Sequence, residues 1–177
     1  HTAGHFLEAG NYLTTFFVIA MRDILLNTEV NRFSFNIKPP RNIAESFFDS
    51  IDFEGFFERT RSIEDEFVNR IMTYYYTLKI NTDPEDEATY RKLKQILFNN
   101  PGIYSKPELH SLFRSIESYC ARKVNAGRRD YYLEMFDCYN LQMKSGFYKV
   151  DSSSPLTSIR FRNTYLTALR SGNTKWA

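Results

Sequence analysis

The sequence predicts an all-α chain, an α-α solenoid in which antiparallel helix hairpins stack into a right-handed superhelix. Three observations predict it. Apolar residues recur at three- and four-residue spacing along most of the chain, the period of a helix with one buried face. The breakers are few, seven Gly and six Pro in 177 residues, and they fall between the periodic segments. No segment shows the sustained two-residue alternation of a half-buried strand. Sixteen Phe and twelve Tyr supply bulky contacts suited to helix–helix packing.

Taken in order, the first helix is predicted over Asn11 to Asn31, with Tyr12, Phe16, Ile19, Leu26 and Val30 on an apolar face broad enough for burial on two sides. Phe33 to Arg41 reads as an extended connector, since Pro39-Pro40 cannot sit inside a helix. Asn42 and Glu45 cap a short helix through Phe47 and Ile51 that Gly55 ends or bends. Ser62 to Ile80 carries the stripe Phe67, Val68, Ile71, Met72, Tyr75 and Leu78. Asp83 caps the next helix with Pro84 at its first position, and Asn99-Asn100-Pro101-Gly102 breaks it. Ser105-Lys106-Pro107-Glu108 is a capping box ahead of Leu109, Leu112, Phe113, Ile116, Cys120 and Val124. Asn125-Ala126-Gly127 stops that helix, and a second follows with Tyr132, Met135, Phe136, Tyr139 and Met143 inward and Gly146 after its end. Ser154-Pro155 opens a last helix bearing Ile159, Phe161, Tyr165, Ala168 and Leu169, and Asn173 begins another cap before Trp176.

Helix, short turn, helix and longer loop recur. Tyr75 and Tyr119 match at a spacing of about 44 residues and Phe113 and Phe161 at about 48, the period range of stacked helical repeats. The expected organisation is one helical-repeat domain over 1–177, part of a longer solenoid, with hairpin units near 62–100, 105–146 and, incomplete, 154–177. Two further stretches carry a resemblance. Phe67-Val68-Asn69-Arg70-Ile71-Met72-Thr73-Tyr74-Tyr75-Tyr76-Thr77-Leu78 with Asp83-Pro84-Glu85-Asp86 is one; Leu133 to Tyr139, Lys144-Ser145-Gly146 and Phe161-Arg162-Asn163-Thr164 make the other. Together they resemble an uncharacterised family of bacterial helical-repeat proteins similar to tetratricopeptide repeat proteins. That resemblance implies a TPR-like superhelix and no assigned reaction. The units here are longer than the standard 34 residues or so of a tetratricopeptide repeat.

Composition narrows the function. The net charge of +2 hides an asymmetry: residues 1–105 hold 11 Lys/Arg and 15 Asp/Glu, residues 106–177 hold 12 and 6. A basic C-terminal part fits an acidic partner. Cys120 and Cys138 lack metal or redox spacing and read as reduced core residues, which favours the cytoplasm. The longest uncharged run, Ala9 to Met21, is too short for a bilayer. No phosphate-binding loop, zinc-protease motif, nucleophile elbow or Cys/His cluster occurs. His1 and His5 lie in an expected frayed end, and His110 in a first helical turn. The carboxylates Asp49/Asp52 and Glu64/Asp65/Glu66 sit beside helix starts, where the dipole favours acids. No enzyme activity, metal or cofactor is therefore expected. The leading expectation is a protein–protein interaction scaffold. Arg70, Arg114 and Arg162, with Tyr74, Ser118 and Leu166 four residues on, would line one concave face for an acidic protein or peptide. The alternative is single-stranded RNA binding by Arg122, Lys123, Arg128 and Arg129 beside Tyr131 and Tyr132. A third is a non-catalytic regulatory domain of a longer protein. The C-terminal edge around Tyr165, Leu169 and Trp176 is expected either to self-associate or to be covered by the next hairpin of a longer protein.

Overall fold

The computed structural model describes residues 2–35, 43–62, 65–148 and 156–176. They fold into α1 (Thr2–Phe35), α2 (Ile43–Asp49), α3 (Phe53–Arg59), α4 (Glu66–Thr82), α5 (Glu87–Asn99), α6 (Lys106–Asn125), α7 (Tyr131–Ser145) and α8 (Ser158–Arg170), with a 3₁₀ turn over Pro101–Ile103. No described residue lies in a strand, so the fold class is all-α. No helix among the described residues is long and apolar enough to cross a membrane. The chain divides into two compact units, His1–Thr82 and Asp83–Ala177. The division falls inside the hairpin expected over 62–100 and assigns its two helices to different units.

In the first unit α1 packs along α4 and against α2. It begins well before Asn11, because Phe6, Leu7, Glu8 and Ala9 are competent helix formers. Gly4 and Gly10 cost only about 1 kcal/mol each in helix propensity. His5 is therefore an exposed helical residue rather than part of a frayed end. The helix also takes in Phe33 to Phe35; the rest of the expected connector, to Arg41, and the Asn42 cap lie outside the described residues. Thr15, Val18, Met21, Arg22 and Leu25 form a buried stripe, while Phe6, Leu13 and Phe16 on the same helix are exposed.

Gly55 does not end a helix. It sits in the first turn of α3, where its N–H donates to Asp52 Oδ1 at 2.8 Å. A Cβ at Gly55 would stand 1.9 Å from Asp52 Oδ2, so a side chain there would push the capping carboxylate aside. Phe48, Phe53, Phe57, Tyr75 and Tyr76 gather beside it, with Tyr75 stacked on Phe53 at 4.4 Å.

The second unit carries a continuous core. Leu93, Leu97, Leu112, Phe113 and Ile116 are wholly buried, and Tyr90 stacks on Tyr119 at 4.6 Å with Tyr131 edge-on. The cap of α5 is Asp86, which accepts from Thr89 N at 2.9 Å, rather than Asp83. Asp83 is taken up in a turn of its own, accepting from Glu85 N at 3.0 Å, the local bond that makes Asp a turn former. The capping box of α6 forms as read: Ser105 N donates to Glu108 Oε2 at 2.8 Å, and Glu108 N donates to Ser105 Oγ. At the other end Arg128 N donates to the Lys123 carbonyl at 3.0 Å across Gly127 at φ 93°, the Schellman closure that needs a left-handed residue. Residues 151–155, including the Ser154 cap and Pro155, lie outside the described residues; Thr157 caps α8 and accepts from Arg160 N.

Residues 126–130 join α6 to α7, which pack antiparallel as a hairpin. Gln142, late in α7, meets Arg160, early in α8, while Tyr132 meets Arg170 at the end of α8. Hence α7 and α8 are also antiparallel, and α6 and α8 run the same way over α7. Trp176 folds back edge-on to Phe136 at 5.7 Å, so it packs on this unit.

Candidate functional site

The cations of the second unit separate into those with carboxylate partners and those without. Lys123 is 3% exposed and donates to Glu85 at 2.9 Å, with Glu87 at 3.5 Å. Burial works against its charge, but the Glu85 hydrogen bond and the nearby carboxylates hold its pKa above the usual lysine value. Arg128 binds Glu87 at 2.6 Å and Asp130 at 2.8 Å and lies over the Tyr131 ring. Hydrogen bonds from Arg128 hold Glu87 and Asp130 below the ordinary carboxylate range. The basic cluster expected for RNA is thus largely internal ion pairing. Lys123 is core, Arg128 is doubly paired, and Arg129 stands exposed beside them. Arg122 is half-buried, and burial lowers its pKa.

A second node ties α5 to α7. Lys94 Nζ donates to Glu134 at 2.7 Å and Asp137 at 3.0 Å, and Tyr90 Oη donates to Glu134 at 2.9 Å. Beneath it Cys120 and Cys138 are fully buried thiols. Burial pushes the Cys120 pKa up to about 12 and Cys138 well above its usual value.

A third node fixes α8. Arg160 grips Glu117 with two bonds, at 2.8 and 2.7 Å, and donates to Gln142 Oε1 at 2.6 Å. Gln142 Nε2 donates to the same Glu117 at 2.7 Å, and the guanidinium lies 4.6 Å from the centre of the Tyr139 ring. Gln142 is 1% exposed. Three helices are held in register here by one bidentate pair, the geometry that suits guanidinium and carboxylate best. His110 lies near this node; burial first, then Arg114 and Arg160, lower its pKa and favour the neutral ring.

Above this node lies a groove of about 430 Å³. Helices α6 and α8 form its walls, through Ser118, Ala121 and Val124 on one side and Asn163 and Leu166 on the other. Met135 and Tyr139 of α7 form the floor. Arg114 and Arg170 belong to the same lining, toward opposite ends. Arg170 lies over the Tyr132 ring at 5.3 Å and donates to its hydroxyl at 3.2 Å. Neither arginine makes an ion pair with a described carboxylate.

The expected partner row is therefore redistributed. Arg114, Ser118 and Leu166 meet in the groove, whereas Arg162 is exposed on α8 and does not line it. Tyr74 is 2% exposed, under the Arg22 guanidinium at 4.8 Å, so it is a core residue and not a partner contact. Arg70, half-buried on α4, belongs to the first unit. The residues that spacing did not single out are Arg170, Glu117 and Arg160. Glu117 and Arg160 stand one repeat spacing apart, and that was the available signal. No protein-family model, curated protein or solved structure matches this chain.

Proposed function

We propose that this chain is a protein–protein interaction module of the helical-repeat type, and that its second unit holds a segment of a partner in the groove between α6 and α8. The observation that carries this reading is the contrast among its cations. Lys94, Lys123, Arg128 and Arg160 are matched to carboxylates; of the cations left unmatched among the described residues, such as Arg114, Arg129, Arg162 and Arg170, it is Arg114 and Arg170 that line an apolar-floored groove, toward its ends. A rigid cleft with an apolar floor and a few placed polar groups is the usual form of a recognition site. The mechanism is display: the three-helix node sets the groove's shape and the partner segment lies in it, with no bond made or broken. Stacked antiparallel hairpins of a TPR-like solenoid are the architecture that fits this use, and buried thiols fit a cytoplasmic setting.

The test is a selection from a random peptide library on the whole chain, followed by a groove-blocking variant, Ser118→Trp. Ser118 is exposed on the wall of the groove, so a bulky ring there fills it without entering the core. Selected peptides should bind Ser118→Trp at least about tenfold more weakly. Failure to enrich any peptide, or equal binding by the blocked protein, would refute the reading.

A further inference from the structure

Resting on the groove as the binding site, we infer the class of its occupant: an extended peptide segment with two carboxylate side chains six residues apart and apolar residues at the second and fourth positions between them. Charge comes first. The groove offers two unmatched guanidinium groups, and its one carboxylate, Glu117, is neutralised by Arg160. Spacing follows from the helices. Glu117 and Arg160 are in contact, so they mark one level on the parallel walls α6 and α8. Arg114 lies just under one turn before Glu117, and Arg170 nearly three turns after Arg160. At 1.5 Å rise per residue the two arginines stand roughly 20 Å apart along the groove.

An occupant must bridge that distance along the groove. A helix would take about 13 residues to span it, at 1.5 Å each. An extended chain covers roughly 20 Å in six residues at about 3.3 Å each, so fewer residues need be ordered. Side chains of an extended chain alternate, so positions i, i+2, i+4 and i+6 face the same way. With acids at i and i+6 on Arg114 and Arg170, the side chains at i+2 and i+4 face Met135, Tyr139 and Leu166. Arg170, braced on the Tyr132 ring and hydroxyl, presents its fork to a carboxylate with little ordering left to lose.

The experiment is fluorescence anisotropy of a labelled, end-blocked nonapeptide with Glu at positions 2 and 8, Leu at 4 and 6, and Ser elsewhere. It should bind the whole chain. Moving one Glu to give a five-residue separation turns it to the opposite face and should weaken binding about tenfold, as should Glu→Gln at either position. Arg114→Ala and Arg170→Ala should each weaken it similarly. Both residues are exposed, so neither change disturbs the core. Arg114→Glu should recover binding to a peptide with Lys at the matching end. Indifference to the register change, or tighter binding of a single-stranded oligonucleotide, would overturn the inference. If library peptides sensitive to Ser118→Trp carry no acids, the groove remains the site and the acidic occupant falls. If the acidic peptide binds but ignores Ser118→Trp, the groove itself is refuted as its site.

Discussion

Replacing Arg160 by Met should loosen α8 and leave the rest of the second unit folded around α5, α6 and α7. The change keeps the apolar stem and removes the charge. It deletes both bonds to Glu117, the bond to Gln142 and the contact with the Tyr139 ring. What remains is a Glu117 side chain only 12% exposed, with Gln142 Nε2 as its single donor. Stranding a buried ion costs about 3–5 kcal/mol, and the lost ring contact about 0.5–1 kcal/mol more. Arg160 is 20% exposed, so water recovers part of that. A net loss of about 3 kcal/mol is expected. Trp176, the single tryptophan, packs on Phe136 and reports on the α7–α8 end directly. With a urea slope of about 2 kcal/mol per molar, the midpoint of its fluorescence change should fall by roughly 1.5 M. The double variant Arg160→Met with Glu117→Leu should recover most of the loss, because an apolar pair avoids the desolvation cost of two ions. A midpoint shift below about 0.3 M, or a double variant as unstable as the single, would mean the pair behaves like a solvated surface bridge, worth about 0–1 kcal/mol.

Two further outcomes follow from single features. Gly127→Val should cost about 1–2 kcal/mol through backbone strain at φ 93°, since a Cβ there meets no other atom; Gly127→Asn should cost less, and thermal melts of the two order them. The thiols Cys120 and Cys138 titrate far higher when folded than the roughly 8.5 of an unfolded cysteine. Their burial therefore adds no pH dependence below about pH 8.5. Above it the unfolded state ionises first, so stability falls as pH rises from about 8.5 toward 12. A disulfide-exchange reagent at pH 8 should label them only as fast as the unit unfolds, and rapid labelling of native protein would contradict their burial.

The features legible in the sequence were those closed by neighbours along the chain. The Ser105–Glu108 capping box spans three residues, and both of its bonds are present. The stripe of α6 was readable for the same reason, since period and apolarity suffice to name Leu109, Leu112, Phe113 and Ile116 as core. Competing local bonds misled the reading at α5, where Asp83 and Asp86 are both good caps and a turn claims the first. At α4 the adjacent residues Tyr74 and Tyr75 are equally plausible on either face. Packing against residues far off in sequence, the Arg22 guanidinium among them, makes Tyr74 the buried one. The arginines of α8 show the limit most clearly. Arg160 and Arg162 are two residues apart and alike in composition, yet only Arg160 faces a carboxylate brought in by α6.

That distinction bears on what the basic half of the chain is for. An excess of cations over residues 106–177 invites a polyanion as partner. A nucleic acid, however, is held by many phosphate contacts at once, commonly six to ten or so. Lys123 and Arg128 are committed to Glu85, Glu87 and Asp130, which stabilises the turn and removes those charges from any such surface. The two groove guanidinium groups, roughly 20 Å apart with an apolar floor between them, are by themselves too few for a backbone with a charge on every nucleotide. They can read a segment that carries its charge at two places and apolar side chains elsewhere. A ligand held this way depends on salt through about two contacts rather than through a long-range field, so its affinity should change only modestly with ionic strength. The cations that remain unmatched, and not the net charge, are what the fold offers a partner.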